Sequence, residues 1–188
     1  DYTEVSYPDG STVTLKKPVF TIDNAWDSPE NFSLSALANE DVRFSARNGM
    51  PVFGLGLLEA IEEQDILALE DVDDADNDGI SGKANWVFDA VKAQAGDENP
   101  VSLGRFGWKA STPSVRQQSL GALRGDMGVT NSLFPEESIA NTLMHESYLS
   151  RTNYQDIGSD DQGLPEASDE FADTVVFYAE TLAVPARR

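Results

Sequence analysis

Residues 103 to 131 read LGRFGWKASTPSVRQQSLGALRGDMGVTN, and the punctuation of this stretch decides what kind of fold surrounds it. Thr112-Pro113 offers an N-cap followed by proline at the first helical position, where the missing N–H costs nothing. The spacing therefore predicts a helix through Leu123 that stops near Gly125. Glycines flank Arg105, Phe106 and Trp108 before that helix, and Asp126-Met127 is bracketed by glycines after it. A cation, two aromatics, the amides of Gln117 and Gln118 and a carboxylate are thus gathered round one helix, which suits the lining of a cofactor pocket. The plainer reading makes Phe106 and Trp108 core side chains.

On either side, helical periodicity recurs. In GLGLLEAIEEQDILALE the residues Leu57, Leu58 and Ile61, then Ile66, Leu67 and Leu69, predict one or two short helices. In ASDEFADTVVFYAETLAV, Ser168 is an N-cap, Asp169 and Glu170 favour the helix N-terminus, and Phe171, Val175, Tyr178, Ala179 and Leu182 share one face until Pro185 ends the pattern. The first 22 residues predict a β-hairpin turning at Tyr7-Pro8-Asp9-Gly10, with Pro18 confining it to an edge. Residues 23 to 52 predict loops with one or two helical turns. Long polar connections run from Ala90 to Ser102 and from Ser150 to Ala167, longer than a compact domain tolerates without a reason. The expected fold is mostly α and loop-rich with a small N-terminal β-hairpin, residues 1–188 forming a single domain or domain fragment.

Charge narrows the partners. Thirteen Lys and Arg against 33 Asp and Glu leave a net charge of -20, which repels phosphate backbones and anionic lipid surfaces, so nucleic acid is not an expected partner. No run approaches the roughly 20 apolar residues of a membrane span, and Asp1-Tyr2-Thr3-Glu4 is no basic-then-apolar leader, so any export signal is expected to lie upstream or to have been removed. Without cysteine there is no thiolate nucleophile, no disulfide and no CxxCH haem attachment. The serines, Ser114 and Ser138 among them, lack the spacing of a nucleophile elbow, and no two carboxylates have the spacing of a hydrolase pair.

DDADNDGISGKAN, from Asp73 to Asn85, is the second informative stretch. Asp74, Asp76 and Asp78 stand at positions 1, 3 and 5 of a D-x-D-x-D-G pattern, Gly79 provides the turn, and Ile80 can offer its carbonyl. Three crowded carboxylates repel one another unless a hard cation converts the repulsion into coordination, and calcium suits an all-oxygen cage. Asn85 stands where an EF-hand has its bidentate glutamate; Asp71, Asp73 or the Asn85 side-chain oxygen would complete the shell. The plainer reading is a solvated acidic turn.

Four separated motifs in one order, GLGLLEAI, DDADNDGISG, LGRFGWKA with RQQ and GDMG, and VVFYAETLAVPARR, with YPDGS near the start, make the chain resemble the region between the two haem sites of bacterial di-haem c-type oxidoreductases, described as thiol oxidoreductases or peroxidases. The resemblance implies a cytochrome c peroxidase-like lobe lacking its CxxCH segments, with two haems c attached outside these residues. It also implies a periplasmic or otherwise exported protein that works with a haem-bearing remainder or partner chains and a redox partner protein. The wider likeness to di-haem cytochrome c peroxidases, which carry an FWDGRA-type motif, assigns roles. Trp108 matches the tryptophan between the haems and Gln118 the glutamine ten residues later. Asp126 falls two residues short of the distal glutamate position and is one carbon shorter than that glutamate. On this reading Asp126 moves a proton and Gln118 orients the ligand. Met127 is a thioether ligand or a packing group, and Arg105 and Lys109 pair with haem propionates or are surface cations.

His145, the one histidine, is read as a hydrogen-bonded or exposed side chain and not as an axial ligand. Of three ways to account for the missing CxxCH segments, a fragment of a longer polypeptide is expected over a docking lobe or a haem-less descendant. The competing reading is an acidic, exported calcium-binding module without redox activity.

Overall fold

The computed structural model describes residues 2–16, 21–22, 32–33, 47–138, 140, 150, 159 and 162–186. The chain divides into two compact units, Asp1–Gly49 and Met50–Arg188. The first carries the expected hairpin, β1 (Tyr2–Ser6) against β2 (Thr12–Lys16), antiparallel with Val5 opposite Val13. Its turn closes where the sequence asks it to: Gly10 sits at φ 83°, and Asp9 Oδ1 accepts from the Ser11 N–H at 2.9 Å and from its hydroxyl at 2.6 Å. A second antiparallel pair joins β3 (Thr21–Ile22) to β4 (Phe32–Ser33). Residues 23–31 and 34–46 of the stretch predicted as loops and helical turns, together with Pro18, His145 and most of Ser150–Ala167, lie outside the described residues.

Among the described residues the helices lie in the second unit: α1 (Leu55–Glu59), α2 (Glu63–Leu67), α3 (Ala90–Gln94), α4 (Val115–Met127) and α5 (Asp169–Thr181). A third antiparallel pair, β5 (Trp86–Phe88) with β6 (Val101–Leu103), brackets α3. The described part is therefore mixed, helices with three small strand pairs, and not mostly α. The polar connection from Ala90 to Ser102 has structure of its own, because Asp89 caps a five-residue helix too short to leave a period in the sequence. Its Oδ1 accepts from Val91 and Lys92 N–H, both at 3.0 Å, while Oδ2 takes the Ser102 hydroxyl at 2.7 Å and ties the helix to β6.

The helix predicted from Thr112-Pro113 starts two residues later than expected and stops about three residues later. Ser114 is the cap, its hydroxyl accepting from the Gln117 N–H at 3.1 Å, and Pro113 precedes it. The helix runs through Gly125 and ends where Gly128 takes φ 66°, with Val129 N–H returning to the Leu123 carbonyl at 2.9 Å. Helix α5 begins at Ser168 as predicted, but its inward face is turned from the expected one. Ala172 and Val176 are buried in the cluster with Leu120 and Leu123 of α4, while Phe171 and Tyr178 are exposed.

The core lies where α4 meets α3 and α5: Leu120, Leu123, Ala90, Ala172 and Val176, closed from below by Leu133 with Phe134 and Val129 against it. Burying a leucine such as Leu120 contributes roughly 1.5–3 kcal/mol. Helix α1 is seated on the far end of α5, where Gly54 N–H donates to the Leu182 carbonyl at 2.8 Å and a Cβ on Gly56 would lie 2.2 Å from the Glu180 oxygen.

Candidate functional site

Between β6 and α4 the chain makes a closed turn from Gly104 to Thr112. The N–H groups of Arg105 and Phe106 both reach the Thr112 carbonyl at 2.9 Å, and Ser111 N–H returns to Phe106 O at 2.9 Å. Phe106, 3% exposed, anchors the base of this turn in the interior, while Trp108 at its tip is 61% exposed. Of the two aromatics, the plainer reading therefore holds for Phe106 and not for Trp108. The tip needs two left-handed residues, Gly107 at φ 79° and Ala110 at φ 46°; for a residue with a Cβ this conformation costs roughly 1–2 kcal/mol. Gly104 has no alternative, since a Cβ there would stand 1.9 Å from the Ala110 oxygen.

Arg105, expected beside a haem, and Asn85, expected as a calcium ligand, have structural occupations here. Arg105 Nη1 donates to the carbonyls of Leu58 (3.2 Å), Glu59 (3.3 Å) and Ile61 (2.5 Å), so its charge sits on the C-terminal end of α1. Asn85 Nδ2 donates to Lys109 O at 3.1 Å and Ala110 O at 3.0 Å, and Asn85 O accepts from the Gly104 N–H at 2.7 Å. Lys109 itself is exposed.

Gln118 and Asp126 line one open cleft of about 260 Å³ along α4, with Gly121 and Ala122 as its floor and Thr112, Gln117 and Phe134 completing the walls. The small residues at 121 and 122 leave room for the cleft. Eight residues separate Gln118 from Asp126, about 12 Å of helical rise, so the two belong to one cleft but reach opposite ends of it. Met127 follows at the helix end, 68% exposed. Gln117, one residue from the expected amide, has its own amide taken up in joining β5 to α3, its Oε1 accepting from Ala90 N–H at 2.8 Å and its Nε2 donating to Phe88 O at 3.2 Å.

The acidic loop gathers a different trio from the one in its motif. Carboxylate oxygens of Asp71, Asp74 and Asp76 lie within 4.8 Å of one another. A calcium ion bound at 2.3–2.6 Å separates opposed ligands by at most about 5 Å, so this spacing fits one cation. Asp71 is placed by its backbone bridge to Gly82 and Asp74 by its left-handed φ of 50°. Asp78 stands outside the trio with its Oδ1 on the Ile80 N–H at 2.7 Å, and the Ile80 side chain is exposed.

Sequence reasoning overlooked the polar groups that hold this unit together. Asn131 is fully buried; its Nδ2 donates to Leu120 O and its Oδ1 accepts from Phe134 N–H, each at 3.0 Å. Glu59 spans 56 residues to accept from the Val115 N–H. Glu59 carries no local signal, since its partner is distant in sequence, and Asn131 shows only the short-range half of its role, Phe134 lying three residues on and Leu120 eleven back.

The family model described as "Di-haem oxidoreductase, putative peroxidase" matches residues 1–188, the whole chain. No curated protein and no solved structure matches it.

Proposed function

Because this chain belongs to the di-haem oxidoreductase family, we propose that it is the inter-haem part of a periplasmic c-type electron-transfer protein with peroxidase-like activity. Haem attachment falls to segments or partner chains that carry the cysteines this sequence lacks. The observation that carries the proposal is Trp108: an indole held out at the tip of a tightly braced turn, 61% exposed, in a unit that also exposes Trp86, Phe88 and Phe177. These exposed aromatics support the reading that haem-bearing sequence covers this unit. Haem, when bound, supplies a one-electron redox centre.

In this reading the indole of Trp108 lies between redox centres, and Met127 offers its exposed thioether to ligation or to contact with a ring edge. The ammonium of Lys109 is available for a propionate, whereas the Arg105 Nη1 is engaged on α1. Asp126 holds or moves the proton and Gln118 donates to the ligand. With two helical turns between them they do not act on one O–O bond together, and the acid–base role rests on Asp126. Calcium at Asp71, Asp74 and Asp76 is part of the same proposal, its support being their mutual distance. That trio also favours the second reading, a calcium-binding module without redox activity.

The deciding experiment uses the intact haem-bearing protein. Trp108→Phe is expected to slow electron transfer between the haems in stopped-flow reduction, and unaltered kinetics would remove the relay. A preparation of the complete protein without a Soret band would leave the calcium module standing.

A further inference from the structure

We propose that Asn85 is the positioning residue for Trp108. The sequence places Asn85 at the end of the acidic loop, as a twelfth-position ligand, yet its side-chain nitrogen is spent on the two carbonyls directly after Trp108, those of Lys109 and Ala110, at 3.1 and 3.0 Å. Its backbone carbonyl holds Gly104 N–H at 2.7 Å. One residue thus grips the turn at its entry and near its tip. The hydrogen bonds of Arg105 and Phe106 to Thr112 fix the base of the turn, and Ala110 N–H donates to Gly107 O at 3.1 Å across the tip. At the tip, Ala110 must keep φ 46°, a conformation that persists only when surrounding contacts impose it. Asn85 supplies two such contacts, and the missing Cβ at Gly104 lets the carbonyl of Ala110 come close enough to receive one. Two donors of a single planar amide group cannot be replaced by a carboxylate, which offers acceptors to carbonyls that are acceptors themselves.

The functional meaning rests on Trp108 being the relay, but the positioning itself is tested without haem. With Trp26→Phe and Trp86→Phe, Trp108 is the one indole of the three that remains. In that background Asn85→Ala and Asn85→Asp are expected to lower the fluorescence anisotropy of Trp108 towards that of the urea-unfolded chain, while circular dichroism keeps its folded signature. Anisotropy unchanged in both variants overturns the proposal. So does a calcium affinity that falls in Asn85→Ala while the anisotropy stays put, which gives Asn85 back to the metal. Should the variants not fold, exchange in the unmutated chain decides. The Asn85 side-chain amide protons are expected to exchange more slowly than those of a free asparagine amide, and equal rates overturn the assignment. Failure of Trp108→Phe to slow inter-haem transfer would remove the relay and leave the anisotropy result standing.

Discussion

Glu59 Oε1 accepts a hydrogen bond from the backbone N–H of Val115 at 2.8 Å. The last residue of α1 thereby satisfies one of the donors that open α4, and Val115 is fully buried, so water cannot take its place. Arg105 completes the exchange by capping α1 from the turn that precedes α4. Three elements that share no local sequence signal are locked by two side chains.

Glu59→Ala should therefore destabilise the second unit by roughly 1–3 kcal/mol, the cost of a buried donor left unmade. Glu59→Gln keeps an acceptor oxygen of the same reach and should lose less. Urea melts of the two variants check the order. Equal losses would mean the carboxylate acts through charge and not through this bond.

Two glycine substitutions should move stability in opposite directions. A Cβ on Gly56 meets the Glu180 carbonyl at 2.2 Å, and the atom in the way is backbone. Gly56→Ala must push α1 off α5, costing about 1–3 kcal/mol. Gly125 lies inside α4 with nothing within 4 Å of its added Cβ, so Gly125→Ala should stabilise by about 0.5–1 kcal/mol through helix propensity. Thermal melts of both test whether α1 is seated as described.

What the sequence disclosed follows the range of the forces involved. The hairpin, the Ser168 cap and the two helices after Gly54 rest on turn chemistry and period, which act over a few residues. The later start and end of α4 were decided by choices among neighbours: Ser114 over Thr112 as cap, Gly128 over Gly125 as the left-handed stop. The Asp74 to Ile80 motif located the acidic loop but not its trio, because Asp71 enters through a backbone bridge to Gly82. Likewise, sequence placed Gln118 and Asp126 together without showing that a straight helix sets them at opposite ends of a cleft.

Asp9 gives a pH prediction at the hairpin turn. Its carboxyl titrates below the ordinary 3.8, first because the Ser11 hydroxyl donates to it and then because the Ser11 backbone N–H does. A depressed folded value means the stabilisation is present above 3.8 and is lost as pH falls through the lower, folded value. Cross-strand NOEs between Val5 and Val13 should weaken over that acid window in the unmutated chain. In Asp9→Asn they should be insensitive to it. NOEs that persist through the window would show that the turn does not depend on this carboxylate.

Calcium supplies the sharpest contrast between motif and geometry. The D-x-D-x-D-G pattern ranks Asp78 with Asp74, whereas the folded loop groups Asp74 with Asp71 and Asp76 and leaves Asp78 outside the trio, although all four carboxylates accept from backbone N–H groups of the loop. If the trio binds calcium, Asp71→Asn and Asp74→Asn each remove a charged ligand and should abolish most of the calcium-induced rise in melting temperature. The stabilisation behind that rise follows RT ln(1 + [L]/Kd) and amounts to about 2.7 kcal/mol at a hundredfold excess over Kd. Asp78→Asn should keep most of it, since an asparagine oxygen can still accept from Ile80. Titration calorimetry on the three variants separates the cases. An Asp78→Asn loss equal to that of Asp74→Asn would restore the motif's ligand set, and a flat calorimetric trace for the unmutated chain would mean that the trio is a solvated acidic turn.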